Sequence, residues 1–206
     1  QTHPLRDAAL RRTLDDYERA QGLGHVPVRV QEVSDLTSSP NAFAAGLGPS
    51  RRVVLWDTLL DGRIDDAGVR VVLAHELAHL SRRHIPKGLA WYALLALPGA
   101  WAIARATRRR GGMGEPAAVP LGLAVLVALQ VAAFPVVSAV SRHLEAEADW
   151  VALRTTADPG AAEALFEEFS RISLDDPSPP TWSYLLFASH PTIEQRIAMA
   201  RAYASR

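Results

Sequence analysis

The apolar positions in the first quarter of the chain predict one helix followed by a small sheet. Leu10, Leu14 and Tyr17 recur at helical spacing within residues 5–20, and glycines end that segment. Three short runs rich in alternating or β-branched residues follow, as is typical of strands, at 25–33, 41–46 and 51–56. These three patterns together predict a small antiparallel sheet.

The next apolar pattern predicts a helix from Asp65 to about His84. Asp65 or Asp66 can cap its first turn. Its apolar residues recur at helical spacing: Val69, Val72, Leu73, Leu77 and Leu80.

Two uncharged apolar segments come next, 88–104 and 117–140, with an Arg-rich and Gly-rich turn between them. The second, at roughly 24 residues, can cross a hydrocarbon layer of about 30 Å, and the first, at roughly 17, comes close because Lys87 and Arg105 can extend to the interface. A buried apolar pair in a soluble domain is the alternative, but the rest of the chain is too small to cover it easily. We therefore expect a membrane hairpin, whose orientation the basic residues at both ends do not decide.

The helical pattern of the second segment runs on to Asp158, where a Pro-Gly pair stops it. Helices are predicted over 161–173 and 191–204, with a Pro-rich connector at 174–191 between them. The aromatic residues of this connector are expected to pack against the core. The alternative is that they line a substrate groove. The pattern as a whole predicts an α+β, mainly helical fold: a single domain over 1–206 that the hairpin interrupts.

Composition excludes several kinds of site. Acidic and basic residues balance at 22 each, which gives no reason to expect a nucleic-acid partner. The sequence has no cysteine, so disulfides, thiolate metal sites and cysteine nucleophiles are excluded, and any metal must be held by histidine and carboxylate. Gln1 opens a charged, amphipathic stretch, so we expect further residues upstream of it.

His75, Glu76 and His79 form an HExxH motif inside the predicted helix. Residues i and i+4 lie on one helix face, so both imidazoles can reach one ion, and neutral imidazole suits Zn²⁺. Glu76 can take a proton from water and deliver it to a leaving amine. Two unrelated helix histidines are the alternative.

A catalytic zinc site takes a third protein ligand. The downstream candidates are His143, Glu145, Glu147, Asp149 and His190. Glu145 and Asp149 are themselves an i, i+4 pair, so one can bind the metal while the other hydrogen-bonds a ligand histidine. This favours Glu145 as ligand and Asp149 as the histidine's partner, with a surface or capping acid as the alternative for Asp149. Glu147 lies about 200° around the helix from Glu145 and is expected in solvent.

The motif order resembles that of the integral-membrane gluzincins of the CaaX prenyl protease type I and HtpX heat-shock protease family. The resemblance spans about residues 22–201 and is carried by HELAH at 75–79, the two apolar segments, SRHLEAEAD at 141–149, SHPTIEQRI at 189–197, NAFAAG at 41–46 and RRVVLWDTLLD at 51–61. It implies an endopeptidase with one Zn²⁺ per chain that acts on membrane or membrane-proximal polypeptides. Processing of a prenylated C-terminus is the narrower expectation and proteolytic quality control the broader one.

The resemblance also implies roles for individual residues. The metal ligands would be His75, His79 and Glu145, with Glu76 as general base and Asp149 in contact with a ligand histidine.

Four further residues receive a role from the resemblance. Asn41 and Ala42 would lie nearest the cleavage point on an edge strand that binds extended substrate, and His190 and Arg196 would stabilise the oxyanion. The alternatives are a turn residue for Asn41, a helix-start residue for His190, and a surface charge or structural ion pair for Arg196.

Two departures and two rival functions stand beside this interpretation. Ala146 replaces an aromatic residue usual in the family, and the upstream membrane helices of the CaaX branch, which enclose the site, are not in the sequence. The rivals are a non-catalytic zinc-stabilised membrane scaffold, against which Glu76 argues, and a soluble helical interaction domain. We expect an integral protein of the cell membrane, with its site on the cytoplasmic side and lipid and polypeptide as partners.

Overall fold

The computed structural model describes residues 1–173, 176 and 178–206 of the chain. Within them lie four strands, Thr2–Pro4 (β1), Val28–Gln31 (β2), Ala42–Ala45 (β3) and Arg52–Trp56 (β4). The α-helices of the same residues are Ala8–Ala20 (α1), Asp66–Ser81 (α2), His84–Thr107 (α3), Val119–Thr156 (α4), Pro159–Ser173 (α5), Thr181–Phe187 (α6) and Ile193–Ala204 (α7). The fold is mainly helical with a small sheet, as the sequence predicts.

The sheet is mixed, so the prediction of an antiparallel sheet is wrong in part. Its strand order is β1-β2-β4-β3, with β3 antiparallel and β2 parallel to β4. Alternation of apolar residues reports which face of a strand is buried and not the direction of the strand. β3 and β4 are consecutive antiparallel strands, whereas β2 lies on the other side of β4 and runs parallel to it.

Helix α2 is the centre of the fold. It is buried almost all round, as expected for a helix covered by other elements on every side. Leu73 and Leu77 of α2 are fully buried together with Val53 and Leu55 of β4. Asp65 caps the helix by accepting a hydrogen bond from the Gly68 backbone at 2.7 Å.

The two predicted apolar segments lie within α3 and α4, which pack against each other. Each helix is long and apolar enough to cross a membrane, and almost none of the most apolar stretch of each is buried. Helix α4 continues without a break to Thr156, so one helix carries both the second apolar segment and the candidate residues Glu145 and Asp149.

The predicted connector contains helix α6, which the sequence does not predict, while residues 174, 175 and 177 lie outside the described part of the chain. Tyr184 donates a hydrogen bond to Gln195 at 2.8 Å. Trp182 and Phe187 are 65% and 60% exposed, so the expectation that the connector's aromatic residues pack into the core is wrong for both.

Candidate metal centre

Helix α2 presents the two motif histidines on one face. Nε2 of His75 and Nε2 of His79 lie 3.0 Å apart, and both rings are largely buried. The i, i+4 spacing accounts for this arrangement because it places the side chains one turn apart. Two imidazoles therefore direct a nitrogen to one point.

Helix α4 brings Glu145 to the same point. One carboxylate oxygen lies 3.2 Å from Nε2 of His75, and the other lies 3.6 Å from Nε2 of His79. One ligand atom from each of the three residues falls within 4.8 Å of the others. Residues separated by the whole hairpin thus form one cluster.

The chemistry of this cluster fits a cation. Two nitrogens on a tetrahedral zinc, each about 2.0–2.1 Å from the ion, lie about 3.3 Å apart, close to the separation between His75 and His79. Oε2 of Glu145 is buried and makes no hydrogen bond of good geometry, although Nε2 of His75 and Nε2 of His190 lie 3.2 and 3.3 Å from it. A buried charged oxygen is costly unless it is paired. A metal ion would satisfy that oxygen and both nitrogens together.

The surroundings of His75 also favour positive charge. Burial alone lowers the pKa of this imidazole, but contacts with the carboxylates of Asp149 and Glu145 outweigh it and raise that pKa. Nδ1 of His75 lies 2.9 Å from Asp149, which leaves Nε2 directed at the cluster.

Arg196 contacts Asp149 rather than the cluster itself. Its Nε and Nη2 atoms donate hydrogen bonds of 2.8 and 2.6 Å to the two oxygens of Asp149, and its guanidinium carbon lies 4.1 Å from the centre of the Phe166 ring. The guanidinium is therefore paired with a buried carboxylate, as in the alternative of a structural ion pair, although Arg196 also lines the cleft next to the cluster. Its contact with an oxyanion stays a prediction.

Glu76 and His190 lie at a cleft of about 570 Å³ beside the cluster. Glu76 is almost fully buried, whereas His190 is 56% exposed at its side chain. Nε2 of His190 lies 3.3 Å from Glu145, and its Nδ1 lies 2.9 Å from Ser189. The cleft therefore carries a buried carboxylate and an accessible imidazole.

Asn41 and Ala42 line the same cleft, at the start of β3. The Asn41 side chain accepts a hydrogen bond of 2.8 Å from the Ala42 backbone, and the Asn41 carbonyl accepts one of 2.9 Å from Trp56. The strand that the resemblance associates with substrate thus begins at the cleft.

The model of peptidase family M48 matches residues 4–204, nearly the whole chain. The chain belongs to peptidase family M48. A metalloprotease is therefore the class of enzyme to which it is related, and a metal cofactor is implied.

Individual relatives agree with the M48 assignment. The chain is 33% identical over 178 residues to "Uncharacterized metalloprotease YhfN" of Bacillus subtilis, covering 82% of this chain and 42% of that protein. It is 32% identical over 225 residues to "Protease HtpX homolog" of Acidiphilium cryptum, covering 98% and 77%. This M48 chain thus spans less than half of one relative and about three quarters of the other.

The crystal structure of S. mikatae Ste24p has the same fold, with a TM-score of 0.82 and 22% identity. The similarity covers 97% of this chain and 52% of that one. The HtpX branch named by the sequence resemblance is therefore represented among the relatives of this M48 chain, and the Ste24p structure shows the same fold.

Two residues near the HExxH motif receive no role at the site from the sequence patterns. His84 lies behind His79, with their Nδ1 atoms 3.0 Å apart, and Glu147 lies 3.2 Å from Nε2 of His84. The expectation that Glu147 faces solvent is wrong, because its side chain is only 29% exposed and is held by three neighbours. A third histidine within five residues of the HExxH motif was the available signal.

Proposed function

We propose that this M48 chain is a zinc-dependent endopeptidase that hydrolyses peptide bonds of membrane or membrane-proximal polypeptides. The observation that carries the proposal is the cluster of His75, His79 and Glu145 beside buried Glu76, at a cleft that an edge strand borders. Histidine and carboxylate ligands from two helices match the ligand set of catalytic zinc sites. Zinc, one per chain, is the metal that these ligands favour.

The proposed roles follow from position. Zinc, when bound, polarises the scissile carbonyl and makes water a stronger nucleophile. Glu76 accepts the proton of the attacking water and then donates it to the leaving amine. His190, exposed at the cleft, donates a hydrogen bond to the oxygen that develops negative charge.

Asp149 and Arg196 support the site without touching the substrate. Asp149 holds Nδ1 of His75 at 2.9 Å and so fixes Nε2 toward the ligand cluster. Arg196 in turn holds both oxygens of Asp149, which is 3% exposed. We therefore propose a positioning role for Arg196 in place of a direct oxyanion contact.

Substrate binding in extended form is supported by the outer side of β3, the side away from β4. Asn41 accepts a hydrogen bond from Trp56, and hydrogen-bonded pairs alternate along an antiparallel ladder. Ala42 and Ala44 consequently direct their backbone groups away from β4, at the outer edge of the sheet. We propose that the substrate adds to this edge as a further strand, with Asn41 and Ala42 nearest the scissile bond.

A scan of singly N-methylated peptide substrates tests this strand. Methylation at residues that face β3 should lower kcat/KM by about 2-fold to 13-fold, equivalent to one hydrogen bond of about 0.5–1.5 kcal/mol. The intervening positions are the matched controls and should change less. If the loss of kcat/KM on N-methylation did not alternate every two residues of the substrate, binding along β3 would be contradicted.

The membrane placement is supported by α3 and α4, whose exposed apolar stretches suit lipid. We propose one domain over 1–206 with 88–104 and 117–140 as its transmembrane hairpin, in the cell membrane with the site on the cytoplasmic side. Because basic residues stand at both ends of the hairpin, labelling of a tag in the Arg-rich turn is the test of orientation.

Metal analysis and peptide cleavage by the purified protein in detergent test the function itself. We expect about one zinc per chain, and cleavage that stops on chelation and returns when zinc is restored. Zinc binding without cleavage of any peptide would favour the scaffold rival. Absence of zinc binding would exclude both the zinc endopeptidase and the zinc-stabilised scaffold.

A further inference from the structure

A chain of polar contacts extends behind His79, on the side of the ring away from the ligand cluster. Nδ1 of His79 lies 3.0 Å from Nδ1 of His84, and Nε2 of His84 lies 3.2 Å from the Glu147 carboxylate. Lys87 donates to the same Glu147 oxygen at 3.2 Å, and Nε of Arg82 lies 3.4 Å from the other. These contacts link three helices: α2, α4 and the first turn of α3.

The protons along this chain can be assigned from the geometry. If Nε2 of His79 offers its lone pair to a metal, the single proton of the neutral ring must sit on Nδ1. Nδ1 of His84 must then accept that proton's hydrogen bond, so the proton of His84 is on Nε2. That proton points at Glu147, an acceptor. Each N–H therefore has a partner. With the alternative tautomer of His79, two acceptors would face each other either between Nδ1 of His79 and Nδ1 of His84 or between Nε2 of His84 and Glu147.

The residue before His84 has a backbone conformation that is unfavourable for a non-glycine residue. Arg83, between α2 and α3, has φ 58°, a left-handed conformation that costs a non-glycine residue roughly 1–2 kcal/mol. The change of direction at Arg83 lets α3 begin at His84, whose side chain is 3% exposed.

The row of polar contacts behind His79 ends at Glu147, whose negative charge is balanced by basic residues. Glu147 is partly buried and is neutralised by Arg82 and Lys87, two of the basic residues at the base of the hairpin. A carboxylate held in this way accepts a hydrogen bond from His84 without needing a charged imidazole. The arrangement parallels the contact of His75 with Asp149, which Arg196 neutralises.

We propose that His84, supported by Glu147, is a positioning residue that fixes the tautomer and the ring orientation of His79 for metal binding. The inference rests on the proposed metal site and deepens it. His84 acts through His79 and touches neither the metal nor the substrate. It makes the second ligand histidine as constrained as the first.

Zinc affinity, measured by competition with a chelator on the full chain in detergent, tests the proposal. His84→Leu removes the acceptor for Nδ1 of His79 and should weaken zinc binding by about 10-fold to 100-fold, the usual cost of losing such a partner. His84→Asn keeps an acceptor oxygen near the position of Nδ1 and should stay within about 3-fold of wild type. The absorption spectrum of the cobalt-loaded protein should change in His84→Leu and be restored in His84→Asn.

His143→Leu is the matched control, since His143 is exposed on α4, and it should bind zinc as wild type does. Equal zinc affinity and an unchanged cobalt spectrum in His84→Leu would overturn the inference. So would equal losses in His84→Leu and His84→Asn, because these would indicate that His84 serves packing alone. Failure of the wild-type chain to bind zinc would instead refute the proposed metal site, on which the inference depends.

Discussion

Glu76→Gln is expected to lower kcat for peptide cleavage by about 10²–10⁴-fold while the protein keeps its zinc. Glutamine matches glutamate in shape but cannot accept a proton from the attacking water. Glu76 is almost fully buried, lines the cleft and stands outside the ligand cluster. Its loss should therefore remove proton transfer and leave metal binding in place.

Initial rates and zinc content of the same preparations measure both effects. Glu167→Gln is a matched control, because Glu167 is exposed on α5 and should change neither quantity. Loss of zinc from Glu76→Gln would show that Glu76 supports the ligands and would leave its catalytic role unsupported. Unchanged cleavage would contradict the general base assignment.

The parts of the site that depend on a single helix can be predicted from the sequence. His75 and His79 meet because four residues make about one helical turn, and Glu145 and Asp149 share a face of α4 for the same reason. The structure brings Glu145 to both histidines and Asp149 to His75. Their roles in binding metal stay predictions until zinc is measured.

The contacts between distant segments could not be predicted in the same way. Glu147 meets His84 across 63 positions and Arg196 meets Asp149 across 47, so both contacts depend on how α3, α4 and α7 pack. Helical periodicity gives the face of a residue, but the neighbour that covers that face is set by tertiary packing. Helical periodicity alone therefore predicts Glu147 in solvent, whereas packing places it against His84.

The fold shows the same limit. The helix from Asp65 and the long apolar segments have strong periodic or compositional patterns, and they form. β1 has only three residues, too few to show an alternating apolar pattern in the sequence. It forms because it can pair with the edge of β2. Helix α6 begins directly after Pro180 in a segment whose prolines indicate a connector, and contacts with α4 hold it.

Arg196→Met is expected to cost about 3–5 kcal/mol of unfolding free energy, because it leaves Asp149 buried without its cation. For a chain of this size, the thermal midpoint should fall by roughly 6–20 °C. Methionine keeps much of the side chain that lies against Phe166, so the loss reports mainly the charge and its two hydrogen bonds. Circular dichroism of the zinc-loaded protein in detergent provides the measurement.

Arg201→Met is the matched control in the same helix. Arg201 pairs with Glu163 at the surface, where such an ion pair contributes about 0–1 kcal/mol. The double variant Asp149→Asn with Arg196→Met should lose less unfolding free energy than the two single variants together, by about 0.5–3 kcal/mol. The reason is that Asp149→Asn removes the charge that would be left buried without Arg196.

The same variants separate the two roles considered for Arg196. A positioning role predicts that Arg196→Met lowers stability and zinc affinity together, since Asp149 would no longer be held against His75. A direct oxyanion contact predicts a fall in kcat at wild-type stability and zinc affinity. The second outcome would require the guanidinium to leave Asp149 when substrate binds, and the buried bidentate contact argues that it does not.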